Sequence, residues 1–234
     1  MTTGSTGEIV VFGAGGRAGR ALVHEARARG HRVIGVVRDP HRHPDLSANS
    51  DGAFRVIAAD LTDRTATAAA LSESEGRAAV LVNAVTPFTA PPESFEDFDD
   101  DHFVSLVDTL ADLSRPTGAR VVEIGLFATL RTDTGRVVDD PEAFPPFFRP
   151  FGQARVRGLD RWDHHRDVDW LVATPPPGLS PDAPRTGRYV LTDGTLASDL
   201  AHLQLSYADL AVAVLDEIET PAYRRTQVGV HAAP

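Results

Sequence analysis

Short apolar runs alternate with segments of helical periodicity along most of the chain. After their first residue, the runs EIVVF and RVIGVV are continuously apolar, which indicates strands buried on both faces. Between them, Arg17–Arg29 repeats small or apolar residues at every fourth position, as one face of a helix does. The pattern predicts six strands: Glu8–Phe12, Arg32–Val37, Arg55–Ala59, Ala79–Asn83, Arg120–Ile124 and Asp169–Ala173. It predicts five helices: Arg17–Arg29, Thr65–Ser72, Asp99–Leu113, Gly152–His165 and Ser206–Glu219.

This alternation predicts an α/β fold with a doubly wound parallel sheet, helices on both faces and the strand order 3-2-1-4-5-6. A further apolar run, Arg225–Val230, is a candidate for a last strand. A chain of 234 residues without internal repeats lies within the usual size of one α/β domain. We therefore predict a single domain over residues 1–234.

Proline and phenylalanine mark the loops that follow the later strands. Twelve of the 17 prolines lie in the windows 87–92, 141–150 and 175–184, after the fourth, fifth and sixth strands. Ligands of open α/β sheets bind beyond the carboxyl ends of the strands, where these loops converge. Nine of the 11 phenylalanines lie between Phe88 and Phe151. The loops 85–101, 125–151 and 174–206 are thus predicted to form a small substrate region for a flat aromatic or conjugated molecule. Alternatively, the rings only pack a loop-rich subdomain.

The amino-acid composition argues against several classes of partner and of catalytic chemistry. Lys+Arg total 23 and Asp+Glu 33, a net charge of −10, which argues against a nucleic-acid or anionic-membrane partner. The chain has no cysteine and no lysine, which excludes thiol chemistry, Schiff bases and a Tyr-x-x-x-Lys dyad. No apolar stretch is long enough to span a membrane, and the first ten residues do not resemble a secretion signal, so a cytoplasmic location is expected.

The first predicted strand runs directly into a glycine-rich loop that opens the first predicted helix. In this position, a first glycine permits the tight turn, a second lets backbone amides approach a pyrophosphate, and a small third residue lets the helix pack closely. The sequence therefore predicts a dinucleotide site. The candidate loop residues are Gly13, Ala14, Gly15, Gly16, Arg17, Ala18 and Gly19.

The tip of the second strand bears on which dinucleotide binds. Arg38 stands there and is a candidate ligand of the 2′-phosphate of NADP, with help from Arg17. Asp39 beside it could instead hold the 2′-hydroxyl of NAD, so NAD remains the less favoured alternative. Other cofactor candidates follow the third to sixth strands: Asp60 and Leu61, Asn83, Ala84 and Val85, Gly125, and Pro175.

Several segments resemble the atypical short-chain dehydrogenase/reductase superfamily. The segments are GAGGRAG, VVRDP, AADLTD, VNAVTPF, DVDWLVATPPP, RTGRYVLTDG and SYADLAVAVLDEIETPAYRR, in that order over most of the chain. Within the superfamily they are most similar to single-domain NAD(P)H-binding proteins related to biliverdin/flavin reductases and NADH-flavin reductases, with NmrA-like relatives. The resemblance implies a Rossmann-like fold and a reductase that uses NAD(P)H. A homodimer is possible.

The segment after the fifth strand departs from that family. Relatives carry a small Gly/Ser-rich sequence of the form GGAGSL, whereas this chain reads GLFATL over Gly125–Leu130. Leu126 and Phe127 are therefore expected to reshape the substrate pocket, and Thr129 or a water becomes the candidate proton donor. The predicted substrate-binding residues are Phe88, Leu126, Phe127, Phe147, Phe148 and Arg155.

These residues predict an NADPH-dependent reductase of a flat acceptor such as a flavin, a quinone or a polyketide-like aromatic. Two alternatives stay open: a cyclase or dehydratase on the same scaffold, and a non-catalytic NADP-sensing regulator. The His41-x-His43 and His164-His165 pairs lack a third ligand at zinc spacing, so no metal site is predicted.

Overall fold

The computed structural model describes residues 7–72, 78–88, 92–95, 97–197 and 204–234. Parts of the predicted loops 85–101 and 174–206 therefore lie outside the described residues. An eight-stranded sheet forms the centre of the fold. Its strands are β1 Glu8–Phe12, β2 Val33–Val37, β3 Phe54–Ala58, β4 Ala78–Asn83, β5 Arg120–Ile124, β6 Trp170–Thr174, β7 Tyr189–Thr192 and β8 Thr226–Ala232.

The strands lie in the order β7-β8-β6-β5-β4-β1-β2-β3. All neighbours pair in parallel except β7 and β8, which are antiparallel. The predicted order 3-2-1-4-5-6 is confirmed, and the predicted last strand extends the sheet beyond β6. Two short strand pairs lie outside it: Arg131–Thr132 with Gly135–Arg136, and Leu179–Ser180 with Leu205–Ser206.

Helices cover both faces of the sheet. They are α1 Arg17–Ala28, α2 Pro44–Ala48, α3 Arg64–Ser72, α4 His102–Ser114, α5 Arg149–Arg161 and α6 Tyr207–Glu219. The helices α1 and α6 pack together in the core of one face, and α4 and α5 pack together in that of the other. The residues predicted to face inward from α4 are buried, namely Phe103, Leu106, Val107 and Leu110.

The starts of two helices have identifiable local causes, and one of them differs from the sequence prediction. The helix α5 begins at Arg149 rather than Gly152, because Pro150 is tolerated in the first helical turn, where no intrahelical N–H bond is lost. Part of the proline window 141–150 is therefore helix rather than loop. The helix α6 begins as predicted behind Ser206, whose hydroxyl accepts a hydrogen bond of 2.9 Å from the N–H of Asp209. The short helix α2 was not predicted.

No helix in the described part of the chain is long and apolar enough to cross a membrane.

Candidate functional site

The glycine loop connects β1 to α1 with very close backbone packing. Gly13 has a φ of +76°, and its carbonyl accepts a hydrogen bond of 3.0 Å from the N–H of Gly16. A Cβ atom at Gly19 would lie 2.1 Å from the carbonyl oxygen of Gly13, so only glycine lets α1 approach the loop this closely. The first-turn N–H groups of α1 have no intrahelical acceptor, and the positive end of the helix dipole lies with them.

A cleft of about 190 Å³ lies at the carboxyl edge of the sheet beside this loop. Seven predicted cofactor residues line it: Gly13, Gly15, Gly16, Arg38, Leu61, Ala84 and Val85. Nine residues that were not predicted also line it: Phe12, Val36, Val37, His43, Ala59, Thr62, Thr86, Pro87 and His102.

The other predicted cofactor residues do not line this cleft. Arg17 is exposed and Ala18 half-buried in the first turn of α1, whereas Ala14 is buried in the core. Asn83 is buried, and its side-chain oxygen accepts from the N–H of Val85 at 3.1 Å, which shapes the wall formed by Ala84 and Val85.

Arg38 and Asp39, the two residues with opposite implications for the nucleotide, have different roles in the structure. Arg38 is exposed at the tip of β2 and borders the cleft. The Asp39 carboxylate accepts a hydrogen bond of 3.0 Å from the N–H of His41 and caps the helical turn Pro40–Arg42. The positive side chain, rather than the negative one, therefore borders the space where a ribose 2′ substituent is expected.

Asp60 is held in its ionised form beside the cleft. Partial burial favours the neutral form, but hydrogen bonds from the N–H and hydroxyl of Thr62 and the charges of Arg38 and His102 outweigh it. The net effect lowers the pKa of Asp60 below its ordinary value, so a carboxylate is present at neutral pH.

Arg20, His43 and His102 were missed as site residues by the sequence analysis. Arg20 donates to the carbonyl of Gly15 at 3.0 Å and pairs with Asp45, so it ties the glycine loop to the segment that follows β2. His102 has a buried Nε2 without a hydrogen-bond partner in the described structure, and burial lowers the pKa of its imidazole. A histidine before α2 or at the start of α4 carries no recognisable spacing signal; His43 stood out only as half of a His-x-His pair.

The segment after β5 lies next to the end of β6. A Cβ atom at Gly125 would lie 2.2 Å from the Thr174 hydroxyl, so glycine is required for this contact, and Pro175 is buried directly after β6. The Thr129 hydroxyl is buried, donates to the Leu126 carbonyl at 2.8 Å and accepts from the Gln227 amide at 2.7 Å. The single proton of Thr129 is thus already engaged within the protein.

Arg155 lies in the core and not on an open substrate surface. It is 7% exposed, and its guanidinium donates to the Glu123 carboxylate at 2.9 Å. The indole N–H of Trp162 donates to the other carboxylate oxygen at 2.9 Å, and the ring of Phe103 lies 4.2 Å from the guanidinium carbon. The structure therefore places Arg155 beneath the end of β5 and pairs it with Glu123. The sequence analysis had instead expected Arg155 to bind an anionic group of the substrate.

The predicted aromatic residues form two groups. Phe88, Phe147 and Phe148 pack around Phe95, which is only 2% exposed, at ring-centroid distances of 5.3–5.6 Å. Phe147 is 45% exposed at the surface of this group. The half-buried Phe127 instead contacts Phe144 at 5.6 Å, in the cluster that also receives Leu126. These contacts show that the rings pack against one another, and Phe147 also leaves part of its ring exposed.

The residues at the cleft fit a dinucleotide. Backbone groups line it at Gly15 and Gly16, where a Cβ on Gly15 would collide with the His43 ring at 2.3 Å. The cleft also offers a cation at Arg38 and an unpartnered imidazole nitrogen at His102. In contrast, the described residues contain no group of three His, Asp or Glu side chains that could hold a metal ion.

Comparison with known proteins agrees with this geometry. A model of a family described as NAD(P)H-binding matches residues 13–221. YwnB of Bacillus subtilis is 26% identical over 229 residues, which cover 95% of this chain and 97% of that protein. A 3-diazoavenalumate denitrifying reductase of a Streptomyces species is 40% identical over 91 residues, 37% of this chain and 27% of that protein. A candidate NADH-flavin reductase from Streptococcus pneumoniae has a TM-score of 0.73 at 24% identity, with 97% of this chain and 100% of that one covered.

Proposed function

Since the chain belongs to the NAD(P)H-binding family, as its motifs predicted, we propose that it is an NADPH-dependent reductase of a flat, conjugated small molecule. Candidate acceptors are a flavin, a quinone or a polyketide-like aromatic. The observation that carries the proposal is the pairing of the glycine loop with Arg38 across one cleft, while Asp39 is engaged in its own turn.

Backbone groups and two charged side chains bind the nucleotide. The N–H groups at the start of α1 receive the pyrophosphate, because they lack intrahelical acceptors and lie at the positive end of the helix. Arg38 receives the 2′-phosphate with a charge-assisted hydrogen bond. The ionised Asp60 beside the same cleft is suited to accept from an adenine amino group.

The acceptor is placed by the loops that follow β4 and β5. NADPH, when bound, supplies a hydride to the acceptor. Phe88, Phe147 and Phe148 offer ring surface for a flat molecule, and the bulky Leu126 and Phe127 follow the end of β5. The contribution of these side chains is to place the acceptor and to exclude water.

No side chain in the segment after β5 is well suited to donate a proton to the acceptor. Thr129 already donates its hydroxyl proton to Leu126, and the chain has no lysine for a Tyr-Lys dyad. We therefore assign any required proton to water from the open side of the site. Thr129 is then a residue that shapes the turn after β5. The name of the Streptomyces relative, a reductase, agrees with the proposed reaction class.

The test is to mix the purified chain with NADPH and follow the absorbance of the reduced nicotinamide, with and without FMN, riboflavin or menadione. We expect acceptor-dependent oxidation in the wild-type chain and none in Gly16→Val, whose loop no longer admits the pyrophosphate. Binding of NADPH without oxidation by any flat acceptor would favour the regulator interpretation. Absence of NADPH binding would overturn the proposed function.

A further inference from the structure

We propose that His43 is a second ligand of the 2′-phosphate of NADPH, acting together with Arg38 through its Nε2–H. The inference rests on the proposed function, because it requires the cleft to hold this nucleotide.

The first observation is the position of the ring. His43 follows the turn Pro40–Arg42, and its imidazole lies against Gly15, where a Cβ would meet Nε2 at 2.3 Å and Cε1 at 2.4 Å. The ring lines the same cleft as Gly15 and Arg38. It therefore stands between the glycine loop and the tip of β2, which is the part of such a fold that receives the ribose 2′ substituent.

The second observation is the hydrogen-bonding state of the ring. The Nη2 of Arg20 lies 3.5 Å from His43 Nδ1. A guanidinium has donors and no acceptor, so Nδ1 must be the acceptor in this contact. A neutral imidazole accepting at Nδ1 carries its proton on Nε2. Within the described residues, Nε2 has no partner, so the N–H directed to the cleft side of Gly15 is available to a ligand.

The third observation is the charge around the ring. The Arg20 guanidinium, which also pairs with Asp45, contacts the His43 ring, and Arg38 lines the same cleft as the ring. The carboxylates of this region already have partners: Asp45 pairs with Arg20, Asp39 accepts from the N–H of His41, and Asp60 accepts from Thr62. An N–H donor in the same cleft as the Arg38 cation suits a doubly charged phosphate, whereas the neutral 2′-hydroxyl of NADH gains little from it.

The alternative is that His43 only packs the loop in place. Loss of the ring would then disturb the pyrophosphate region, and NADPH and NADH would be affected alike. The two explanations therefore differ in how affinity changes with the 2′ substituent.

The experiment uses calorimetric titration of the full chain and its variants at one pH and one salt concentration. The variants are His43→Ala, His43→Gln, whose amide keeps a donor, and the matched control His41→Ala, an exposed histidine of the same turn. The ligands are NADPH, NADH, adenosine 2′,5′-bisphosphate and 5′-AMP. Melting temperatures confirm that each variant is folded.

We expect His43→Ala to bind NADPH and the bisphosphate roughly tenfold more weakly, the lower range for a hydrogen bond to a charged group. NADH and 5′-AMP should change less than about twofold, His43→Gln should recover most of the loss, and His41→Ala should match the wild type. Equal losses for NADPH and NADH, or no loss for either, would overturn the inference. A wild-type chain that binds neither nucleotide would overturn the proposed function, and the inference with it. Wild-type binding of NADPH that His43→Ala leaves unchanged would overturn the inference alone.

Discussion

The guanidinium of Arg155 and the carboxylate of Glu123 form a hydrogen-bonded ion pair of 2.9 Å, and neither side chain is more than 8% exposed. The pair joins α5 to β5 directly beneath the segment Gly125–Leu130, where the acceptor is proposed to bind. It gives Arg155 a positioning role, since it fixes the end of β5.

Arg155→Met tests that role. Removing one member of a buried pair leaves the other charge without compensation, which costs about 3–5 kcal/mol of unfolding free energy. Urea denaturation should show this loss. In the matched variant Arg157→Met, which removes an exposed pair with Asp100 from the same helix, stability should hardly change. An Arg155→Met protein that unfolds like the wild type but loses affinity for an anionic acceptor would restore the substrate-ligand role.

Arg38→Ala should weaken NADPH binding far more than NADH binding. A charge-assisted hydrogen bond contributes about 1.5–3 kcal/mol, which corresponds to roughly 10- to 150-fold in affinity. Calorimetry on both nucleotides measures the difference, and Arg42→Ala, in the following turn but not on the cleft wall, is the control. Equal wild-type affinities for NADPH and NADH would contradict the expected preference.

Gly16→Val should abolish nucleotide binding while the chain stays folded. A Cβ at Gly16 meets nothing closer than the Gly13 carbonyl oxygen at 3.4 Å, so the backbone accommodates it, but the branched side chain occupies the pyrophosphate space. Thermal denaturation and calorimetry check both parts. Gly19→Ala is the contrasting variant: its Cβ would lie 2.1 Å from the same oxygen, and its melting temperature should fall. Retained binding in Gly16→Val would mean that the loop is only a turn.

Phe127→Gly should broaden the choice of acceptor. The change places a small residue after the end of β5 and should alter kcat/KM for the acceptor, with melting temperature and NADPH affinity nearly constant. The comparison variant is Phe144→Leu, whose ring contacts Phe127 but is only 5% exposed and should mainly affect stability. If Phe127→Gly loses about 3–5 kcal/mol of stability, as a core ring would, and turns over its acceptor normally, Phe127 is a packing residue.

Asp209→Asn should destabilise the chain at neutral pH. Burial alone would raise the pKa of Asp209. Hydrogen bonds from the N–H groups of Thr186 and Gly187 and from the Thr186 hydroxyl outweigh burial, so the pKa lies below its ordinary value of 3.8. A depressed folded-state pKa stabilises the fold above 3.8, and this contribution is lost as the pH falls through the folded value.

The variant should therefore unfold about 1–3 kcal/mol more easily at pH 7, the usual cost of mismatched buried donors. The difference in unfolding free energy between the variant and the wild type should disappear at acidic pH. Urea titrations across the pH range measure it, with the exposed Asp182→Asn as control. A gap that is independent of pH would exclude the carboxylate as its source.

Much of this architecture is encoded locally and was accessible from the sequence. Strands that are apolar on both faces, such as β1 and β2, are expected inside a covered sheet, and their alternation with helices indicates parallel pairing. The glycine loop was equally accessible, because Gly13 and Gly19 meet a steric requirement that no other residue satisfies.

The remainder of the site depends on contacts between distant parts of the chain. Nothing near His43 in sequence shows that its ring will lie against Gly15, 28 positions earlier. Nor does the spacing of Arg155 reveal Glu123, because a buried ion pair and a substrate anchor present the same arginine on the same helix face. The number of prolines after β5 also suggested a longer loop than the structure has, because Pro150 lies in the first turn of α5.

Arg20 makes the shape of the glycine loop a property of the folded chain before any ligand arrives. Its guanidinium reaches both the Gly15 carbonyl and Asp45, so the glycine loop and the segment that follows β2 are already joined. A preorganised loop loses little conformational entropy on association, and more of the contact energy then remains as affinity. Folding and nucleotide binding are therefore thermodynamically linked through Arg20, a side chain that does not itself line the cleft.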